Sequence, residues 1–336
     1  MSRFYQLHGV CVRTTANHPA VKEMLHRALR YKGAEALSTP GTADLVLSFS
    51  VDREPASVPD DARHLGQSEH GHIDVWMTAD RMMLNHTEAS VIIDQHAGTA
   101  TATITPDLMD ARVHKRRDPL FYLITFSLVI LLRYRGWFAL HTAALARDDH
   151  GLLLVAQSDS GKSTATMNLV RQGWSYLSDD TVLLRETGDR VEAHSFRRNF
   201  CVDPEATALF PELADQDWPA SLSDADKWQV DIDALYPNQY APIATPRVLI
   251  LPEIVDALVS RVEPVDAKET LATLIDQGAL FLTPDPNVAR QHLEVFRRLI
   301  EQTHAYRLHA GRDLLASSDR IHALLAPLLE THDPAE

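Results

Sequence analysis

The 336-residue chain has only two cysteines, Cys11 and Cys201, far apart. That excludes a disulfide scaffold and makes a reducing compartment the expectation. Basic residues are in the minority, 32 Lys and Arg against 46 Asp and Glu, for a formal net charge of −14. No global field therefore draws nucleic acid, and the acidic balance disfavours anionic membranes. The longest apolar run, from Pro119 to Leu132, is too short to span a bilayer. The start, Met1-Ser-Arg-Phe-Tyr-Gln-Leu-His8, carries no signal-peptide pattern. No internal repeat occurs, and the 17 histidines form no ligand-spaced cluster. The expectation is a cytoplasmic protein with no membrane span and no nucleic-acid partner. Length and a 45% hydrophobic share allow one large domain or two, each with a buried core.

The stretch around which the chain is organised is Leu152-Leu-Leu-Val-Ala-Gln-Ser-Asp-Ser-Gly-Lys-Ser-Thr164. Leu152 to Ala156 reads as a buried strand, Gln157 to Ser160 as a polar loop, and Gly161-Lys-Ser-Thr164 as the opening of a helix running to Arg171. Strand, loop and helix in that order form a P-loop, which turns backbone N–H groups and a helix N-terminus toward a polyphosphate. The predicted nucleotide-binding residues are Ala156, Gln157, Ser158, Asp159, Ser160, Gly161, Lys162, Ser163 and Thr164. Lys162 would meet the β/γ-phosphates and the Ser163 hydroxyl a Mg²⁺ ion. Two positions depart from the consensus: Ala156 and Asp159 stand where glycines are expected. A carboxylate at 159 is unfavourable beside phosphate, although Asp tolerates left-handed backbone. The alternative is a strand–turn–helix that contains Gly-Lys-Ser by coincidence.

After Gln172-Gly173, a glycine stop for the helix, come two short strands, Trp174–Leu177 and Thr181–Leu184. Ser178-Asp179-Asp180 joins them. Adjacent carboxylates need cations or solvent. Beside a Mg²⁺–nucleotide, one holds the metal and the other takes the proton of an attacking hydroxyl. The same tripeptide is also good composition for a solvated turn.

Leu140-His141-Thr-Ala-Ala-Leu145, the 156–163 loop and Leu177-Ser-Asp-Asp180 follow one another in the order and spacing of the HPr kinase/phosphorylase family, which the chain resembles over about residues 135–325. The likeness is nearest to that family's shorter relatives. It implies a P-loop core of the kind shared with phosphoenolpyruvate carboxykinase, and phosphorylation of a serine hydroxyl using ATP and Mg²⁺. By match, Lys162 binds phosphate, Ser163 and Asp180 hold Mg²⁺, Asp179 is the base, and His141 is a further site residue. Homo-oligomers are implied by the same likeness. It does not extend to phosphorylase activity or to HPr as substrate.

The expected fold class is α/β, α+β overall: a small N-terminal α+β domain over 1–112 and a P-loop kinase-like domain over 113–336. Residues 3–14 read as one strand, Asn17-His-Pro19 to Arg30 as a helix, and 52–70 as a loop. Three further strands follow at 72–78, 89–94 and 99–105. Asp118-Pro119 caps an all-apolar helix, for the core or a subunit interface. Residues 203–213 read as a short helix and 214–226 as a mobile acidic loop. Arg197 and Arg198, on a strand end, suit a phosphate or substrate anion, or a plain surface pair. Lys227 is a further candidate phosphate contact. The leading expectation is hydroxyl phosphorylation, on serine of a peptide or small protein. The alternatives are a kinase of a small metabolite such as free serine, and a non-catalytic nucleotide-binding module.

Overall fold

Two consecutive left-handed residues, His8 (φ 47°) and Gly9 (φ 86°), fold the first alternating run back on itself. The single strand expected over 3–14 is therefore a hairpin, β1 (Arg3–Leu7) and β2 (Val10–Ala16). The computed structural model describes residues 2–68, 72–111, 116–157, 160–278, 285–316 and 318–330. The described chain is mixed α/β in two compact units, Met1–Gly136 with Ala220–Lys227, and Trp137–Pro219 with Trp228–Glu336.

In the first unit, α1 (Pro19–Tyr31) follows the hairpin, with His18 as N-cap and Pro19 in the first turn. Then come β3 (Glu35–Leu37), β4 (Leu45–Val51), β5 (Arg63–Ser68), β6 (Ile73–Met77), β7 (Met82–His86), β8 (Ala89–Asp94), β9 (Thr99–Ile104), α2 (Pro106–Ala111) and α3 (Pro119–Arg133). The strands make one sheet in the order β3-β1-β2-β4-β9-β8-β7-β6-β5. Neither β5, in the expected 52–70 loop, nor β7 was foreseen. Polar β5 is the sheet's edge and pairs only with β6.

The Asp118 carboxylate accepts the Leu120 amide at 2.9 Å, as the Asp-Pro start requires. From there α3 is buried on nearly every side, against α1 and strands β4, β8 and β9. That packing moves the division between the units to Gly136, later than the expected 112. Residues 220–227 correct a second expectation. Instead of a mobile loop, they are pinned into the first unit: Tyr122 donates to the Ser223 carbonyl at 2.6 Å, and Arg116 forks onto Asp224 at 2.8 and 2.9 Å.

The second unit contains β10 (Phe138–His141), β11 (Ala143–Arg147), β12 (His150–Leu154), α4 (Lys162–Arg171), β13 (Ser175–Ser178), β14 (Thr181–Thr187), β15 (Arg190–Ser195) and β16 (Asn199–Val202). Two 3₁₀ segments, Pro204–Ala208 and Pro211–Asp215, replace the helix expected over 203–213, because Pro211 interrupts it. Then follow β17 (Trp228–Asp231), α5 (Ile232–Leu235), β18 (Ile243–Ile254), β19 (Arg261–Pro264), α6 (Ala267–Gln277), α7 (Pro286–Gln302), β20 (His304–Ala310), α8 (Asp313–Ala316) and α9 (Ser318–Glu330).

The main sheet runs β10-β14-β15-β18-β12-β11-β13, and β20 adds to β18. Its core strands β12, β18 and β20 are parallel neighbours, so the Leu152–Leu154 run is buried on both faces. Leu152 and Leu154 join Met167 and Leu169 of α4 and Leu325 of α9 in one cluster. Helix α7 lies on β14, β15, β18 and β20. The sheet order begins on β10 and ends on β11 and β13, yet β10 continues into β11 through Thr142 alone, and β13 into β14 through Asp179-Asp180. The sheet thus curls back on itself, and its two crossing strands pass each other at Thr142 and the Asp pair.

Candidate functional site

The loop before α4 starts where β12 ends. Val155 continues the parallel pairing, its amide donating to Ile250 O at 2.8 Å. The loop closes on Gly161, the N-cap of α4, whose φ of 82° suits glycine. Ser163 and Thr164 lie half-buried on the first turn of the helix. Lys162 is buried at 6% exposure, and its ammonium donates to Ala156 O at 2.7 Å and Gln157 O at 2.5 Å. Ser160 Oγ is enclosed, with no hydrogen-bond partner among the described residues. Ser158 and Asp159 lie outside the described residues.

The Asp pair sits at the second crossing. Ser178 Oγ donates to Thr181 O at 2.8 Å and is 3.2 Å from the Thr181 amide, so it shapes the turn that presents both carboxylates. The two then diverge. Asp179 is buried at 4% exposure, and its Oδ2 accepts the Cys201 amide at 2.8 Å. Its Oδ1 lies 3.3 Å from the Tyr176 hydroxyl and 3.6 Å from Arg197 Nε. Asp180 points outward, its side chain 37% exposed. Its Oδ2 accepts from Thr181 Oγ1 at 2.9 Å and lies 3.4 Å from Arg197 Nη1, while Oδ1 is 3.5 Å from His141 Nδ1.

Burial pushes the Asp179 carboxyl above its ordinary range, and the neighbouring Asp180 charge adds to this. Arg197, the Cys201 amide and Tyr176 pull it back. Burial also lowers the His141 pKa; Asp180 opposes that, while Lys162 and Arg197 reinforce it. The charges of Lys162 and Arg197 thus both act on His141. His141 Nε2 is enclosed, with no hydrogen-bond partner among the described residues.

The structure brings together His141, Asp179, Asp180 and Arg197, while Lys162 folds onto its own loop. Arg197 is buried at 3% exposure and bridges the two carboxylates; it is not a surface residue. Arg198 goes the other way, to an ion pair with Asp233 and a place 4.7 Å from the Tyr240 ring centre. Lys227 belongs to the Asp224–Lys227 turn of the first unit, where its amide donates to Asp224 O at 3.0 Å. Sequence reasoning missed Thr142, Tyr176, Ser178 and the Cys201 amide. Only the nearness of the first three to His141 and the Asp pair hints at them.

Among the described residues, no three His, Cys, Asp or Glu side chains are grouped to hold a metal. That donor set still fits Mg²⁺, which binds through one or two carboxylates and is completed by phosphates and water. Asp180, half-buried and with its side chain 37% exposed, is the more accessible of the two carboxylates for such an ion. Ser160 Oγ on the loop and His141 Nε2 beside Asp180 are enclosed polar atoms with no hydrogen-bond partner among the described residues.

No protein-family model and no curated protein matches the chain. Among solved structures it is similar to the HPr(Ser) kinase/phosphatase from Coxiella burnetii. The TM-score is 0.30 at 11% identity, over 56% of this chain and 98% of that one. This is a weak structural relation to a kinase/phosphatase. Among the described residues, no helix is long and apolar enough to cross a membrane.

Proposed function

We propose that the chain transfers a phosphoryl group from a Mg²⁺–nucleotide to a hydroxyl, on serine of a peptide or small protein. The observation that carries this reading is a pair of carboxylates bridged by a buried arginine, tied through Thr142 to the strand from which the loop of the buried, glycine-capped Lys162 departs. A bound Mg²⁺–ATP would supply the phosphoryl group and neutralise its developing charge. Lys162 turns from the Ala156 and Gln157 carbonyls to a phosphate oxygen, a stronger acceptor because it is charged. Ser163 and Asp180 hold the metal. Asp179 accepts the hydroxyl proton; its raised pKa brings it closer to the range useful for a base. To do so its Oδ1 must exchange Tyr176 or Arg197 for the acceptor.

The enclosure of Asp179 favours a second reading, a nucleotide-binding module in which the pair is structural. Thermal unfolding with Mg²⁺ and ATP, GTP, ADP or pyrophosphate tests the site, since ligand at 100 times its dissociation constant stabilises by about 2.7 kcal/mol. Labelled nucleotide offered with serine-containing peptides or free serine then tests transfer. The expected result is a Mg²⁺-dependent shift lost in Lys162→Ala, and Asp179→Asn that binds but does not transfer. No shift at millimolar ligand would remove the phosphate site. Binding without transfer in the unaltered protein would establish the module. Asp179→Asn losing both equally would end its role as base.

A further inference from the structure

Thr142 is wholly buried at the single-residue link between β10 and β11. Its amide donates to the Asp180 carbonyl at 2.9 Å. Its hydroxyl lies 2.9 Å from the carbonyl of Leu154, the last residue of β12 before the Lys162 loop, and 3.0 Å from its neighbour's carbonyl, Ala143 O. One residue therefore touches the backbone that carries the outward carboxylate and the backbone from which the loop departs. His141, which faces Asp180, is the residue just before it.

The sheet pattern explains why such a tie is needed here. β10 pairs with β14 up to His141↔Thr181, and β11 pairs with β13 from Ala144↔Ser178, where the register shifts. Between these two pairings the regular ladder is broken, so strand hydrogen bonds alone do not fix how the Asp pair sits relative to β12. The Leu154 carbonyl, at a strand end deep in the core, also needs a donor.

We infer that Thr142 is a positioning residue, whose hydroxyl fixes the distance between the Lys162 loop and the Asp179–Asp180 carboxylates. This rests on the phosphoryl-transfer reading above. Phosphoryl transfer depends on in-line placement, and an error of an ångström costs about 100-fold. Removing the hydroxyl should therefore reduce turnover far more than nucleotide binding, which the loop itself supplies.

The test compares unaltered protein, Thr142→Val and Thr142→Ser. Nucleotide affinity is read from the Mg²⁺–ATP thermal shift, and turnover from phosphate released from Mg²⁺–ATP with water as acceptor. Thr142→Val keeps the shape and the amide but lacks the donor. Its affinity should stay within about threefold while turnover drops about 10- to 100-fold, a loss made only in the transition state. Thr142→Ser restores the donor and should recover turnover to within about threefold. If Thr142→Val is unfolded at the assay temperature, Thr142→Cys, with its weak thiol donor, takes its place. Unchanged turnover in Thr142→Val overturns the inference. So does a Thr142→Ser variant no better than Thr142→Val, or equal loss of binding and turnover, which marks a purely structural residue. Unaltered protein that gives neither a shift nor turnover would instead remove the phosphate-site reading, and this inference with it.

Discussion

Arg197 and Asp179 are 3% and 4% exposed, so Arg197→Met would leave a carboxylate in the interior without its guanidinium partner. Breaking a buried pair by removing one member costs about 3–5 kcal/mol, because the remaining charge is uncompensated. Methionine keeps much of the buried volume, so most of the loss should be electrostatic. With a urea slope of about 2 kcal/mol per molar, the midpoint should fall by about 1.5–2.5 M. Four of the five tryptophans, Trp137, Trp174, Trp218 and Trp228, are in the second unit, so tryptophan fluorescence follows mainly its unfolding. The pH dependence gives an internal check. Asp179 has a folded pKa raised from 3.8, so it ionises in the unfolded chain first, and its contribution to stability falls as pH rises through that window. Losing Arg197 removes a lowering influence and widens the window upward. The deficit of Arg197→Met should thus be largest at neutral and alkaline pH and shrink as pH falls and Asp179 becomes protonated. Adding Asp179→Asn should recover part of the deficit, since a neutral amide leaves no buried charge. A loss below about 1 kcal/mol, or one that is flat with pH and unrelieved by Asp179→Asn, would refute the clamp.

Two further outcomes follow from the same geometry. Gly161→Ala puts a Cβ where nothing lies within 4 Å, so only the left-handed backbone resists it. It should cost about 1–2 kcal/mol in urea unfolding, and no cost would mean that the loop closes in another conformation. His141 has its pKa lowered from 6.5, chiefly by burial, so its neutral form is favoured in the fold. Its share of stability is complete above 6.5 and is lost as pH falls toward the lower folded value. His141→Gln should flatten the melting temperature between pH 8 and 5 relative to the unaltered protein; an unchanged slope would place His141 outside the enclosed site.

What was legible in the sequence was carried by local signals. Leu152–Ala156 is a strand because it is apolar throughout, and Gly161 and Gly173 bound α4 because both need positive φ, 82° and 85°. Asp285-Pro286 starts α7 with the Asp285 carboxylate on the Asn287 amide. Long-range features left no such trace. Residues 214–226 have the composition of a solvated loop, yet Ser223 and Asp224 are held by Tyr122 and Arg116, residues more than a hundred positions earlier. An all-round apolar helix such as α3 does not reveal in its sequence which sheet it will cover.

The site shows the same limit at the scale of single residues. Ser178-Asp-Asp180 reads either as a turn or as a pair of working carboxylates, and these are not rivals. The Ser178 hydroxyl closes the turn, and the turn is what sets one carboxylate inward and the next outward. Arg197 and Arg198 are likewise indistinguishable in composition. Both lie in the three-residue link Phe196–Arg198, where the chain bends between β15 and β16, so no strand alternation in the sequence tells which one turns inward. The link runs from Ser195, where β15 leaves its pairing, to Asn199, where β16 takes up its pairing with β17; within it Arg197 meets Asp179 and Asp180 and Arg198 meets Asp233. The sequence therefore supplies a pair of arginines for a pair of carboxylates, and the path of the bend between two strands places the one that bridges them.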